Sequence, residues 1–136
     1  MKFNRNVLII EDNPGDARLL REFLCNNNNP NNIHVATDGE MAIQMLNKEG
    51  KYSNLPKPDL ILLDMNLPKK DGKDVLRDIK QHNSFDDVSI IILTGYLPDI
   101  ENHPCDKLVD AAFFKPNDLE GFNELKKSIV KILNRK

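Results

Sequence analysis

Five short apolar runs recur along the chain, and polar or turn-forming residues follow each of them. The runs are residues 7–10, 33–36, 60–63, 88–93 and 111–114. Most of them lack the polar–apolar alternation of a half-exposed strand, and this is typical of strands that are covered on both faces in a parallel sheet. The central run, 60–63, consists of four aliphatic residues and leads directly into Asp64.

The segments between these runs place apolar residues at the spacing of an amphipathic helix. A first helix is predicted from Pro14 to about Asn26 behind the cap residue Asn13, and a last helix follows a cap at Asn117 or Asp118. The predicted buried positions are Ala17, Leu20, Phe23 and Leu24 with Leu19 beside them; Met41, Ala42, Met45 and Leu46; Val75, Leu76 and Ile79; and Leu119, Phe122, Leu125, Ile129, Ile132 and Leu133. Strands that alternate with helices predict an α/β fold, a doubly wound five-stranded parallel sheet with helices on both faces, formed by residues 1–136 as a single domain.

Residues 97–109 are the exception to this repeat. Pro98 and Pro104 lie close together there, and a proline inside a helix costs about 3 kcal/mol. Any helix in this segment must be short or broken. We therefore expect an altered surface at 97–109.

Composition and charge exclude several classes of function. The 136 residues are 40% hydrophobic and 29% charged, as in an ordinary globular domain, and the net charge is −2. No basic surface favours nucleic acid, no apolar run is long enough to span a membrane, and the N-terminus lacks the features of a signal peptide. Cys25 and Cys105 provide neither a disulfide framework nor metal-ligand spacing. We expect a cytoplasmic protein with reduced thiols and no nucleic-acid or membrane partner.

Polar residues with useful chemistry follow four of the five predicted strands: Glu11 and Asp12, Asp64, Thr94, and Lys115. The carboxyl ends of parallel strands share one edge of a sheet, so these side chains should meet there. Three carboxylates in one place repel each other, and a hard divalent cation such as Mg²⁺ would relieve that repulsion. With a hydroxyl from Thr94 and a positive charge from Lys115, the set suits phosphoryl transfer onto a carboxylate. Asp64 is the natural nucleophile because its strand is central.

These segments resemble the receiver domain of two-component response regulators. The matching stretches are residues 7–13, 62–68 with Asp71-Gly72, 92–95 and 114–116, and both their order and their spacing match over residues 5–133. The long approach to the third strand, residues 48–58, is similar to a subgroup of stand-alone receivers associated with phytochrome-type and related histidine kinases. The resemblance implies a flavodoxin-like strand order of 2-1-3-4-5 and a receiver domain without an output domain.

The resemblance also implies a role for the reactive residues. Asp64 would accept a phosphoryl group from a phosphohistidine on a partner histidine kinase and would later lose it to water. Thr94 would turn toward the phosphoryl oxygens, and Lys115 would pair with them. The protein would be no enzyme beyond this modification of itself, and it would signal by changed binding to a downstream protein target or a phosphotransfer protein.

Magnesium is the cofactor that the resemblance implies. Asp12 and Asp64 would bind Mg²⁺ directly. Asn66 would bind it through its main-chain carbonyl, and Glu11 would bind it through water. The peptide between Lys115 and Pro116 is typically cis in the family, which would fix the direction of the lysine.

One position departs from the family pattern. The family usually has an aromatic residue three positions before the lysine, and the inward rotation of that residue reports phosphorylation. Here the position is Ala112. Phe113 is adjacent, but alternation along a strand places it on the opposite face of the sheet. The departure puts the usual threonine–aromatic relay in question.

Other functions are compatible with parts of the pattern. The protein could pass its phosphoryl group onward as a phosphorelay intermediate. A phosphohydrolase with an aspartyl nucleophile commonly has a second acid two residues later, where this chain has Asn66. A flavodoxin-like cofactor binder needs a phosphate-cradling loop after the first strand, where Glu11 and Asp12 would repel phosphate.

A degenerate receiver would bind partners without phosphorylation, which the complete acid, threonine and lysine set disfavours. Taken singly, each residue also has a plainer structural role, such as an acid that caps a helix.

Overall fold

Five strands form a single parallel sheet within the part of the chain that the computed structural model describes, residues 5–25, 32–65, 67, 72–81, 87–96, 98 and 109–134. The strands are β1 (Asn6–Ile10), β2 (Asn32–Ala36), β3 (Leu60–Asp64), β4 (Ser89–Thr94) and β5 (Ala111–Phe114). Their order in the sheet is β2-β1-β3-β4-β5, and every neighbouring pair is parallel. The predicted doubly wound sheet and its strand order are confirmed.

Four α-helices lie within the described residues: α1 (Pro14–Leu24), α2 (Gly39–Leu46), α3 (Gly72–Lys80) and α4 (Leu119–Asn134). Asn13 caps α1 because its side-chain oxygen accepts a hydrogen bond from the Asp16 N–H at 3.0 Å. Asp118 rather than Asn117 caps α4, since its Oδ1 accepts from the Gly121 N–H at 2.7 Å. The first helix ends before the predicted Asn26, because Cys25 is already extended and exposed.

The sheet divides the interior into two hydrophobic cores. The first core lies under α2 and α3, and the second lies under α1 and α4. Neighbouring residues of the central strand point to opposite sides, since Leu63 belongs to the first core and Leu62 to the second. Phe23 of α1 and Phe122 of α4 stack with ring centroids 4.6 Å apart, which joins the two helices of the second core. Two positions that were predicted to be buried are exposed in the structure. Leu19, expected beside the buried stripe of α1, is 43% exposed, and Leu119, expected in the stripe of α4, is 67% exposed because it is the first residue of that helix.

Two segments bear on the sequence predictions. The approach to β3 contains a short 3-10 helix, Gly50–Tyr52. Residues 97–109 lie outside the described residues except for Pro98 and Val109, so the altered surface expected there stays a prediction. Among the helices of the described segments, none has the length and apolar character needed to cross a membrane.

Candidate functional site

The carboxyl edge of the sheet gathers the polar residues that end or follow its strands. Asp64 is the last residue of β3 and Thr94 the last of β4, whereas Glu11 and Lys115 directly follow β1 and β5. Backbone hydrogen bonds extend the sheet to this edge. The Glu11 N–H donates to the Ala36 carbonyl at 2.9 Å, and the Lys115 N–H donates to the Thr94 carbonyl at 2.9 Å. The sheet itself therefore holds these residues in place.

Glu11, Asp12 and Asp64 form an acidic cluster in which each residue offers a carboxylate oxygen within 4.8 Å of the others. Glu11 is 2% exposed and Asp64 is 3% exposed, whereas Asp12 is open to solvent. Carboxylate oxygens at this separation are the donors that a hard divalent cation prefers. Asn66, whose main-chain carbonyl was predicted to add a ligand, lies outside the described residues.

Lys115 joins the acidic cluster from the β5 side. Its Nζ lies 2.8 Å from Glu11 Oε1 and 3.1 Å from Asp64 Oδ2, and a third carboxylate, Asp16 Oδ2, lies 3.5 Å away. The lysine side chain is 32% exposed, so water reaches only part of it. The ammonium is the positive charge that makes two buried carboxylates tolerable next to each other.

Burial and charge change the acid–base properties of this group. Burial raises the pKa of Glu11 to about 7, although Lys115 pulls that pKa down; the neighbouring Asp64 raises the pKa further. Burial acts to lower the pKa of Lys115, but hydrogen bonds to Glu11 and Asp64 outweigh it and raise the pKa above its ordinary value. Lys115 is therefore fully charged at neutral pH, whereas Glu11 exchanges a proton near neutrality.

Thr94 is buried at the edge, with 2% of its surface exposed. Its Oγ1 accepts a hydrogen bond from the Tyr96 N–H at 3.0 Å. Tyr96 itself is 58% exposed. The backbone that leaves β4 thus holds the hydroxyl in place, and a hydroxyl is a group that can donate a hydrogen bond to an anionic oxygen.

Gly72, which belongs to a stretch that resembles the receiver family, lies close to the backbone of β3 in the structure. A Cβ at this position would lie 2.6 Å from Met65 Cα and 3.0 Å from the Asp64 carbonyl oxygen. The Gly72 N–H donates to the Met65 carbonyl at 3.3 Å. The absence of a side chain therefore lets α3 begin directly against the backbone that carries Asp64.

Among the described residues, Asp16 is a contact of Lys115 that the sequence interpretation missed. An acid in the first turn of a helix is common because it suits the helix dipole, so the pattern alone gave no reason to single it out. Its place in the first turn of α1, soon after β1, puts it near the reactive edge, but no sequence pattern shows that its side chain reaches the lysine. Asp16 and Lys115 also line a cleft of about 220 Å³ with Leu20, Leu93 and Phe122 at its apolar wall.

Two expectations about β5 have different outcomes. Ala112 packs against the core under α2 and α3, and Phe113 packs against the core under α1 and α4, so their predicted placement on opposite faces is confirmed. The cis peptide implied between Lys115 and Pro116 is wrong for this structure, in which that peptide is trans. Trans is the lower-energy isomer of a peptide before proline by about 0.5–1 kcal/mol, and the lysine reaches both buried acids in that form.

Known proteins match the chain both in sequence and in fold. The family described as Response regulator receiver domain matches residues 7–123. Response regulator Rcp1 from Synechocystis sp. is 41% identical over 88 residues, which are 65% of this chain and 60% of that protein. Sporulation initiation phosphotransferase F from Bacillus subtilis is 32% identical over 93 residues, which are 68% of this chain and 66% of that protein. The chain therefore spans only about two thirds of the length of these two relatives.

Solved structures are similar over nearly the whole chain. The phosphorylated cyanobacterial phytochrome response regulator RcpA has a TM-score of 0.84 at 34% identity, and the match covers 96% of this chain and 94% of that one. The Mn²⁺-bound form of response regulator Rcp1 has a TM-score of 0.80 at 32% identity, with 92% and 91% covered. These similarities agree with the subgroup predicted from residues 48–58.

Proposed function

The chain belongs to the response regulator receiver family, and from this premise we propose that it is a phosphorylatable signalling switch whose phosphoryl acceptor is Asp64. Receiver domains are phosphorylated on an aspartate by kinases. The observation that carries the proposal is the contact of Lys115 Nζ with Glu11 and Asp64, at 2.8 Å and 3.1 Å, on buried carboxylates. It supports the proposal because a cation fixed beside a buried nucleophile stabilises the negative charge of a transferred phosphoryl group.

In the proposed transfer, a carboxylate oxygen of Asp64 attacks the phosphorus of a phosphohistidine on a partner kinase. An O–P bond forms on Asp64, and the N–P bond breaks with its electron pair returning to the imidazole, which takes up a proton. Water later attacks the same phosphorus. The O–P bond then breaks, inorganic phosphate leaves, and the Asp64 carboxylate is restored.

Two neighbouring side chains would recognise the phosphoryl group. Lys115 would exchange part of its contact with Asp64 for a phosphoryl oxygen. Thr94, whose Oγ1 accepts a hydrogen bond from the Tyr96 N–H in the structure, would turn and donate its hydroxyl proton to another oxygen. Both movements start from contacts seen in the structure. The movement of Thr94 would link phosphorylation to the backbone after β4, because Thr94 contacts the Tyr96 N–H there.

A divalent metal fits the donor set of the acidic cluster, and receiver domains bind such a metal in an acidic pocket. We propose Mg²⁺ as the ion, with Asp12 and Asp64 as direct ligands and the Asn66 carbonyl as a third. The pairing of Glu11 with Lys115 favours a ligand role for Glu11 through water. The ion would supply positive charge to the oxygens of the transferred group.

The proposed partners follow from the family, whose members interact with histidine kinases and downstream targets. The similarity to RcpA favours a phytochrome-type histidine kinase as the phosphodonor. We propose the exposed side of α1, with Arg18, Leu19 and Glu22, as the kinase-docking surface. Residues 1–136 would act as one receiver domain that signals by changed binding to a protein target.

A second candidate function is that of a phosphorelay intermediate, which passes its phosphoryl group to a phosphotransfer protein. The similarity to Sporulation initiation phosphotransferase F favours it. The site chemistry on Asp64 is the same in both cases. The two differ only in whether a histidine on a partner or water takes the phosphoryl group.

Incubation with acetyl phosphate and Mg²⁺ tests the proposed function directly. We expect the wild-type protein to gain one phosphoryl group, seen as a mass increase of the intact protein and as acid-stable but base-labile label. Asp64→Asn should gain none, because an amide is not a nucleophile toward phosphorus. Asp74→Asn, which changes a partly exposed acid of α3, is the matched control and should be labelled like the wild type.

The opposite results would be equally clear. Equal labelling of Asp64→Asn and the wild type would refute Asp64 as the acceptor. Labelling that survives complete removal of divalent ions by a chelator would refute the metal requirement.

A further inference from the structure

The Lys115 ammonium lies between three carboxylates of different exposure. Glu11 and Asp64 are on its inner side and are buried, whereas Asp16 is on its outer side with 48% of its side chain exposed. The distances increase in the same direction, from 2.8 Å and 3.1 Å to 3.5 Å. Asp16 therefore offers the ammonium a second position outside the acidic cluster.

The backbone holds Asp16 in place without help from its side chain. Asn13 provides the helix cap and accepts the Asp16 N–H at 3.0 Å, and Pro14 begins the helix. The Asp16 carboxylate is thus free of any capping duty and contacts Lys115 at 3.5 Å. An ordinary first-turn acid gains only the interaction with the helix dipole, whereas Asp16 also contacts the ammonium.

The space around Lys115 permits movement toward α1. Asp16, Glu11 and Lys115 all line the cleft of about 220 Å³ described above. Its wall under α1 and α4 is apolar, so the carboxylate of Asp16 is the anionic partner that an ammonium would meet there.

Lys115 and a divalent cation draw on the same carboxylates. The ammonium contacts Glu11 and Asp64, and both residues belong to the acidic cluster that fits the metal. Two cations on one pair of carboxylates repel each other, so metal binding is easier when the ammonium has another anion to contact.

We propose that Asp16 is a positioning residue that draws the Lys115 ammonium to the α1 side of the acidic cluster and so favours divalent-metal binding in that cluster. The inference rests on the proposed function for the metal and for Lys115. It assigns to Asp16 no contact with the phosphoryl group.

Direct titration with Mn²⁺, followed by the electron paramagnetic resonance signal of the free ion, tests this without any phosphoryl transfer. We expect Asp16→Asn to weaken Mn²⁺ binding about threefold to tenfold, on the order of one partly screened charge interaction. Asp16→Glu should restore most of the affinity. Glu40→Gln is the matched control, since Glu40 is an exposed acid in the first turn of α2 at the same edge of the sheet; it should change the affinity less than about twofold.

A double-mutant cycle with Lys115→Gln shows whether Asp16 acts through the lysine. If it does, Asp16→Asn should weaken Mn²⁺ binding in the wild type but not in the Lys115→Gln protein. An effect that persists unchanged in the Lys115→Gln protein, or one no larger than that of Glu40→Gln, would overturn the inference. Thermal unfolding of each metal-free variant verifies that it is folded.

The two proposals fail in different ways. A protein that shows the expected Mn²⁺ pattern but takes no phosphoryl group from acetyl phosphate would refute the proposed function alone. A protein that is phosphorylated on Asp64 but binds Mn²⁺ equally well with and without Asp16 would refute only the positioning role.

Discussion

The reactive edge depends on how a few side chains share charge. Two buried carboxylates, Glu11 and Asp64, are held next to each other by one ammonium. Glu11 exchanges a proton near neutrality, because burial raises its pKa to about 7. Metal binding therefore competes with a proton on Glu11 as well as with Lys115.

Metal affinity should rise with pH through neutrality. In the proposed metal site Glu11 binds through water, and its ionised carboxylate accepts a hydrogen bond from that water more strongly than the neutral acid does. Loss of the proton with a pKa of about 7 therefore favours the metal. We expect the dissociation constant for Mg²⁺, measured by calorimetric titration, to fall about tenfold between about pH 6 and about pH 8. Glu11→Gln should lose most of this dependence.

The free energy of unfolding of the metal-free protein should fall as the pH rises through neutrality. The pKa of Glu11 is raised from 4.5 to about 7 on folding, so the folded state binds the proton more tightly. This contribution to stability is complete below about pH 4.5 and is lost as the pH rises through about 7. A metal-free wild type that showed the same pH profile of urea midpoints as Glu11→Gln would contradict this account.

Residue-level prediction from the sequence succeeded where the fold alone decides the position. Asp64, Thr94 and Lys115 could be placed together because parallel strands end at one edge, and the structure brings them together with Glu11 and Asp12. Asp16 could not be found in this way, since the reach of a helical side chain toward a lysine on another strand depends on distances that no pattern contains.

The elements meet most closely where α3 begins. Gly72 allows the first turn of α3 to lie against Met65 and the Asp64 carbonyl. The tightness of this junction fixes the backbone of Asp64 from the side opposite to α1.

Gly72→Ala should destabilise the protein by about 1–3 kcal/mol, because the added methyl group would overlap the Met65 backbone and something must shift. Gly95→Ala is the matched control, since a Cβ there meets nothing within 4 Å; its effect should stay within about 0.5 kcal/mol. Urea denaturation of both variants measures the difference. Equal stabilities would show that the junction adapts to a side chain without strain.

Element boundaries were less predictable than the elements themselves. The apolar runs located all five strands of the described sheet, because burial on both faces leaves little choice of residue type. The end of α1 was misplaced, since the extended conformation of Cys25 follows from tertiary context and not from its residue type. The sequence also left the cap of α4 open between Asn117 and Asp118, because both residue types cap helices well.

At the scale of the whole molecule, the acidic cluster and the proposed kinase-docking surface lie in different places. The acidic cluster lies at one edge, and α1 runs away from it with an exposed side that contains Arg18, Leu19 and Glu22. A kinase that docks on α1 can bring its phosphohistidine over Asp64 without contacting α3 on the other face. Docking and chemistry can therefore be changed independently.

Arg18→Ala should slow phosphoryl transfer from the cognate kinase about tenfold, as expected for one useful interface contact, and should leave labelling by acetyl phosphate unchanged. Arg77→Ala is the matched control. Arg18 pairs with Glu22 on α1 and Arg77 pairs with Asp74 on α3, and both arginines are mainly exposed, 81% and 68%. The measurement is the rate of phosphoryl transfer from the purified kinase to each variant. Equal rates for Arg18→Ala and Arg77→Ala would contradict a docking surface on α1.

The exposed Cys25 at the end of α1 has a practical consequence. Since α1 starts beside the acidic cluster and runs back along the sheet, this thiol lies at the far side of the molecule from Asp64. With Cys105 replaced by serine, a tether coupled to Cys25 would anchor every molecule on a sensor chip in one orientation. The acidic cluster would then face the flowing solution, where a kinase could be injected and its arrival timed.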